Sequence, residues 1–233
     1  ILASANGNGR LALTASNLAL TISASVEAEI EDQGAVAIPG KRMAEWVKLM
    51  GKETVSFSLD DNNSLSLRCG SRATLKCLGA DIFPEIELRE SGGVEMDAGL
   101  LKKAIQHVAF AASKGETRPV LTGVLINLDG NKLSLFATDG YRLSVQHTEL
   151  SQPIIDRMHI IVPAQALREL ERILPDEGQL KLYLSEDNVR FSVGYIELIS
   201  QTIQGKYPDV ESVIPDKSQT RIQADTQALK NAC

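Results

Sequence analysis

Apolar positions along this chain change period several times, and each change marks an element. Between Arg10 and Ile22, and again between Leu133 and Val145, apolar residues alternate with polar ones, stop, and resume. A period of two puts alternate side chains on one face of a half-buried strand, so each stretch predicts strand, bend, strand. In the later stretch the bend falls in Ala137-Thr138-Asp139-Gly140-Tyr141-Arg142-Leu143. Gly140 tolerates backbone angles closed to other residues, and Asp139 can accept hydrogen bonds from its own turn, so the block reads as a kink in a hairpin or bulged strand. In the earlier stretch Ser16-Asn17 takes that place, followed by Leu18, Leu20 and Ile22. Val26 to Ile30 is expected to continue the meander, and Ala35 to Ile38 to form a short strand.

From Lys41 the period becomes helical. Met43, Trp46, Val47 and Met50 stand at i, i+3, i+4 and i+7 behind Pro39-Gly40, with Gly51 as the stop. Val55, Phe57 and Leu59 then alternate up to the turn Asp60-Asp61-Asn62-Asn63, Leu65 and Leu67 pair back, and a further strand is expected around Leu75 and Cys77. Sliding the sequence by about 124 positions repeats this order. Pro39 falls on Pro163, Met43 on Leu167, Leu65 on Val189, Gly70 on Gly194, and Phe83-Pro84 on Tyr207-Pro208. The second copy also has an opening helix, expected over Asp97 to Ala112, with Asp97 as N-cap and Leu101, Ala104, Ile105 and Val108 as its apolar stripe. Residues 224–232 match residues 96–104, so a third copy begins near the end. The chain therefore reads as most of one repeat, one whole repeat and the first turns of another. Each would be an α+β unit with two helices packed on antiparallel sheets of about eight short strands.

Composition and charge narrow the function. Aromatic residues make up 4% of the 233 residues, too few for base-stacking platforms on single strands. The net charge of −6 excludes a uniformly basic nucleic-acid binder but not a local basic surface. Such a surface is indicated, because the three helical segments 39–50, 97–114 and 163–174 hold eight basic and four acidic residues while the rest of the chain is strongly acidic. Cys69, Cys77 and Cys233 are an odd number with no close pair, which suits a reducing compartment. With no apolar run of membrane-spanning length and no basic-then-apolar leader, a soluble cytoplasmic protein is expected. The first residue is Ile, so the natural N-terminus is expected to lie upstream.

Candidate chemistry is sparse. Gly34 to Lys41 has the wrong glycine spacing for a phosphate loop, and Arg42 stands where Ser or Thr would hold magnesium. His107, His147 and His159 lack ligand spacing, so neither metal nor cofactor is expected. Asp60 to Asn63 and Glu186 to Asn188 occupy the same turn of their repeats and read as turn chemistry rather than a cation site. Asp139 beside Arg142 could be drawn as an acid/base pair, but a turn-forming Asp and an Arg covering apolar surface explain both, and no enzyme is indicated.

Taken together, Ala137 to Leu143, Val162-Pro163 opening a helix, and Gly205-Lys206-Tyr207-Pro208-Asp209 followed by Val213-Ile214-Pro215 resemble the bacterial replicative sliding clamps, the beta subunits of DNA polymerase III. The resemblance covers essentially the whole chain. It implies tandem DNA-clamp domains at 1–92, 93–220 and from 221, the first lacking its opening helix and strand and the third nearly all its length. It implies a subunit that, when full length, pairs head to tail as a homodimeric ring around double-stranded DNA, with the strand Arg72 to Leu78 offering an edge to its partner. Lys41, Lys48, Lys102, Lys103, Arg118, Arg168 and Arg172 would face the DNA. A pocket formed in part by Leu121, Thr138, Gly140, Tyr141, Arg142, Leu143, Pro208 and Val213 would receive a linear peptide from the polymerase III catalytic subunit, the clamp loader, other DNA polymerases and repair proteins. On residue types alone, Leu121, Leu143 and Val213 fit ordinary core positions equally well. A peptide-binding scaffold that never encircles DNA is the alternative.

Overall fold

The two alternating stretches fold as hairpins because each bend is held by its own side chains. The computed structural model describes every residue except 52, 53, 85–92, 116, 186, 216, 218 and 233, and every side chain among those except 155 and 156. Cys233 and Glu186 thus lie outside the described residues. The first repeat runs β1 (Leu2–Ala5), β2 (Arg10–Ser16), β3 (Leu20–Glu27), β4 (Gly34–Ala37), α1 (Gly40–Val47), β5 (Ser56–Leu59), β6 (Ser64–Cys69), β7 (Ser71–Lys76) and β8 (Leu78–Gly79). The second runs β9 (Val94–Asp97), α2 (Ala98–Val108), β10 (Gly123–Thr138), β11 (Leu143–Pro163), α3 (Ala164–Ile173), β12 (Gln179–Leu184), β13 (Asn188–Val193) and β14 (Ile196–Gln201), and α4 (Thr226–Ala232) follows. The architecture is α+β with antiparallel pairing throughout.

Local chemistry accounts for most element ends. Asp97 Oδ1 accepts from Leu100 N at 2.8 Å and starts α2, and Asp225 Oδ1 accepts from Ala228 N at 2.8 Å at the start of α4. Pro39 and Pro163 sit one residue earlier than a first-turn proline would, as the extended N-cap residues of α1 and α3. In the first hairpin turn Asn17 Oδ1 accepts from Leu20 N at 2.8 Å, and in the β5–β6 turn Asp60 Oδ1 accepts from Ser64 N at 2.8 Å. Gly70 and Gly194, equivalent in the two repeats, have φ of +61° and +57° in the turns that join β6 to β7 and β13 to β14.

Several expected bounds shift. Residues 28–30 form no strand, and β3 stops at Glu27. The helix expected to run to Met50 ends at Val47, and the one expected to run to Ala112 ends at Val108 and tightens into a 3₁₀ turn over Ala109–Ala111. The second repeat has fewer but longer strands than expected, because β10 and β11 each span what the first repeat divides in two; their register shifts near Gly130, whose φ is +57°.

Packing separates the repeats into unequal cores. In the second, α2 and α3 lie side by side and bury Leu101, Ile105, Leu167 and Leu170 against Leu135 and Phe191. A Cβ on Gly99 would stand 2.0 Å from the Asp176 carbonyl oxygen, so only glycine lets α2 approach the loop after α3. The first repeat gathers Ala3, Val36, Ile38, Met43, Leu65, Leu67 and Cys77. Its α1 has no counterpart of α2 beside it among the described residues, and Leu49 is left 81% exposed whereas Ile173, at the equivalent place, packs on the core.

The repeats join edge to edge. β3 of the first pairs with β14 of the second, from Leu20 opposite Ser200 to Ala24 opposite Ile196, which makes one nine-stranded sheet. Gln201 N donates to Ala19 O at 2.9 Å and Ser25 N to Tyr195 O at 2.9 Å, so the ladder is closed at both ends. The Arg10 guanidinium lies 3.4 Å over the Tyr195 ring and donates to Ser25 O at 2.8 Å, locking the joint with a stacked cation.

Candidate functional site

The turn between β10 and β11 is the most tightly hydrogen-bonded stretch of the candidate site. Thr138 pairs with Leu143 as the last rung, and its Oγ1 donates to Arg142 O at 2.7 Å while accepting from Gly140 N at 3.0 Å. Asp139 Oδ1 accepts from Tyr141 N at 3.0 Å and Arg142 N at 3.1 Å, and its Oδ2 accepts from Arg142 Nε at 3.1 Å. These backbone N–H groups, and then the guanidinium, hold the Asp139 carboxyl below its ordinary value of 3.8. Gly140 takes φ +91°, where a side chain would be strained. The turn therefore holds Tyr141 wholly in solvent, at 100% exposure. Arg142 is fixed instead: Nη2 donates to Phe110 O at 3.0 Å and the guanidinium lies 5.4 Å from the Phe110 ring.

A pH dependence follows. Folding lowers the Asp139 pKa, so the stability its charge contributes is complete above the ordinary value and is lost as pH falls through the lower folded-state value. The Tm difference between the wild type and Asp139→Asn is expected to be level from about pH 7 to 5 and to shrink below about pH 4. Thermal melts at stepped pH check this; a difference that widened on acidification would overturn it.

Apolar residues back the turn. Leu121, 3% exposed in the 3₁₀ turn Pro119–Thr122, packs in one cluster with Phe136, Ile161, Tyr207 and Val210, and Leu143 leans on it half-buried. Burial pushes the Tyr207 hydroxyl up from its usual pKa. Pro208, next to Tyr207, is exposed. Val213 is 67% exposed and stands outside this cluster, so a core role does not apply to it. Thus Leu121, Thr138, Gly140, Arg142 and Leu143 gather around the hairpin end, with Tyr141 projecting from it. Phe136, Ile161, Tyr207 and Val210, which back the turn, were not singled out as site residues from the sequence, although Tyr207 stands in the Gly205 to Asp209 motif.

Beside this cluster lies a cavity of about 690 Å³, lined by β10, β11 and the segment from Thr202 to Glu211. Pro208, Phe136 and Ile161 belong to its wall, as do Asn127, Lys132 and Lys206.

The candidate DNA-facing cations divide into two kinds. Lys102 Nζ pairs with Asp176 Oδ1 at 2.7 Å, Arg172 with Glu169 at 3.0 Å, and half-buried Arg168 donates from Nη2 to Ala109 O at 2.8 Å. Lys102 thereby ties α2 to the loop after α3 and Arg168 ties α3 to the turn after α2, while the Arg172–Glu169 pair stays within α3 at the surface. The Lys102 ammonium in turn holds the Asp176 carboxyl below its ordinary value. Lys41, Lys48, Lys103 and Arg118 are exposed and make no ion pair among the described residues. Cys69 and Cys77 are buried, and burial pushes the Cys77 thiol up from its ordinary pKa.

Tandem α+β units sharing one sheet across their junction, with basic helices on both, define a DNA-clamp type of protein. The sequence pattern of the DNA polymerase III beta subunit N-terminal domain matches residues 2–87, and that of its central domain matches residues 95–209. The chain belongs to this family. It is 32% identical to the beta sliding clamp of Synechococcus elongatus, over 98% of this chain and 63% of that protein, and 31% identical to that of Bacillus subtilis, over 87% and 54%. Among solved structures, the Bacillus subtilis DNA polymerase sliding clamp superposes with a TM-score of 0.87 at 28% identity, covering 94% of this chain and 60% of that one. The Streptococcus pyogenes beta subunit gives 0.91 at 26% identity, covering 100% and 64%. The chain spans less than two thirds of the length of these relatives. No described helix is long and apolar enough to cross a membrane.

Proposed function

We propose that the full-length protein is a non-enzymatic processivity factor of DNA replication: a ring that surrounds duplex DNA, slides along it and tethers polymerases through the pocket at the β10–β11 turn. The division into clamp domains at 1–92, 93–220 and from 221 belongs to this proposal. The observation that carries it is the β3–β14 joint. At the repeat offset β14 corresponds to β7, and β7 is the edge of its three-stranded sheet, β5-β6-β7. The counterpart of β3 is the start of β11, which among the described residues pairs only with β10. The same joint can therefore be made again at both ends, and head-to-tail contacts of this kind generate rings when the rotation closes.

Ring closure supplies retention, so the cations need only weak, sequence-independent attraction to phosphate. Lys41, Lys48, Lys103 and Arg118 meet that need, and the acidic remainder of the chain disfavours DNA elsewhere. The partners are double-stranded DNA, the polymerase III catalytic subunit, the clamp loader, and other polymerases and repair proteins, with a second full-length copy completing the ring.

Reversing Lys41, Lys48, Lys103 and Arg118 to Glu together is expected to lower loading onto nicked circular DNA about tenfold or more at physiological salt, with Tm unchanged. Arg168 is left out of this variant because its guanidinium holds the Ala109 carbonyl. Undiminished loading by the folded variant would favour a peptide-binding scaffold that never encircles DNA.

A further inference from the structure

We infer that Phe110 is a positioning residue of the partner site, holding the Arg142 guanidinium where it meets the peptide at the β10–β11 turn. This rests on the peptide reading of that turn and deepens it. Phe110 is not a core residue. In the 3₁₀ turn Ala109–Ala111 both alanines are buried, while Phe110 between them is left 53% exposed. A phenylalanine so exposed adds less to the core than a buried one. What lies over its ring is a cation, the Arg142 guanidinium, 5.4 Å from the ring centroid.

The end of α2 and this turn are anchored by side chains from two other elements, so Arg142 is held against a fixed support. Carbonyls at a helix end have no intrahelical donor and take partners from elsewhere. His107 O accepts from Ser144 Oγ at 2.6 Å, Ala109 O from Arg168 Nη2 at 2.8 Å, and Phe110 O from Arg142 Nη2 at 3.0 Å. Arg142 Nε donates in turn to Asp139 Oδ2 at 3.1 Å. Nη1 makes no hydrogen bond among the described residues, and the side chain stays 54% exposed, so Nη1 is left for a carboxylate or carbonyl oxygen of the peptide. Ordering a long side chain costs affinity when it happens on binding, and Phe110 with Asp139 orders this one beforehand. The Phe110 carbonyl survives replacement of its side chain, so the share of the ring can be measured separately.

The test is a double-mutant cycle on the full-length chain, with affinity for the polymerase III catalytic subunit of the same organism read by surface plasmon resonance and Tm as the control for folding. Phe110→Ala and Phe110→Leu are each expected to weaken binding about three- to fivefold, and Phe110→Tyr, which keeps a ring, to stay within about twofold of the wild type. In an Arg142→Ala background, Phe110→Ala is expected to change affinity by less than about twofold, because the group it holds is gone. A side chain with a structural role alone would weaken both backgrounds equally. That result overturns the proposal, as does a Phe110→Leu variant that binds as the wild type does. If Arg142→Ala weakens binding and no Phe110 variant does, Phe110 does not position Arg142 and the hairpin reading stands. If Tyr141→Ala with Arg142→Ala leaves binding intact as well, both readings fall.

Discussion

Cutting a loaded nicked circle once is expected to release the full-length chain, shortening its residence about a hundredfold or more at physiological salt. The exposed cations offer little direct contact to DNA. Lys41, Lys48, Lys103 and Arg118 are four exposed cations, and Lys102, Arg168 and Arg172 are already engaged by Asp176, Ala109 and Glu169. Contacts of that kind give weak binding that falls steeply with salt. A long residence on circles must then come from topology, which a single cut abolishes because the ring runs off the new ends. The measurement is retention through gel filtration, before and after linearisation, with the loader and ATP present during assembly. Equal retention on both forms would mean ordinary contact binding and would sink the ring.

The other large effect is expected at the hairpin. Replacing Tyr141 and Arg142 by Ala together should cost about 2 kcal/mol or more of partner binding, roughly thirtyfold in Kd. Tyr141 makes no contribution to the core, being wholly exposed, and the turn keeps its hydrogen bonds from Thr138 and Asp139 to the backbone whatever side chain stands at 141 or 142. The loss is therefore an interface loss: an aromatic ring wholly open to a partner, and a guanidinium already held against Phe110 in advance of binding. Isothermal titration of the polymerase catalytic subunit against the full-length variant reads the effect, with Tm as the control for folding. Unchanged affinity in a folded double variant would remove this turn from the proposed site.

Local rules carried the sequence far because they depend on near neighbours. The alternation around Leu133 to Val145 gave strands, Asp97 capped α2 as its position promised, and Leu101, Ala104, Ile105 and Val108 are all buried. The repeat offset holds down to the positive φ of Gly70 and Gly194. Where local pattern failed, tertiary surroundings had decided. Val47 fits a helical stripe yet is exposed, because a stripe is buried only if an element lies across it, and α1 lacks the neighbour that α3 has in α2. Val213 fits a core position by type but is 67% exposed and stands apart from the cluster that Leu121 and Leu143 share.

By itself, then, the sequence determined the element order, the duplication and the hairpin turn, all set by spacing within a few residues or by one fixed offset, while the candidate site residues came from the resemblance to the clamp family. Only the tertiary structure decided which cations are spent on carboxylates and carbonyls, that Gly99 is required by the Asp176 carbonyl, that Asn127 lies unsatisfied in a cavity, and that β3 meets β14. Apart from the Arg172–Glu169 pair, three positions apart on α3, each of those joins residues tens of positions or more apart, and such meetings depend on how finished elements pack rather than on the pattern of any one of them.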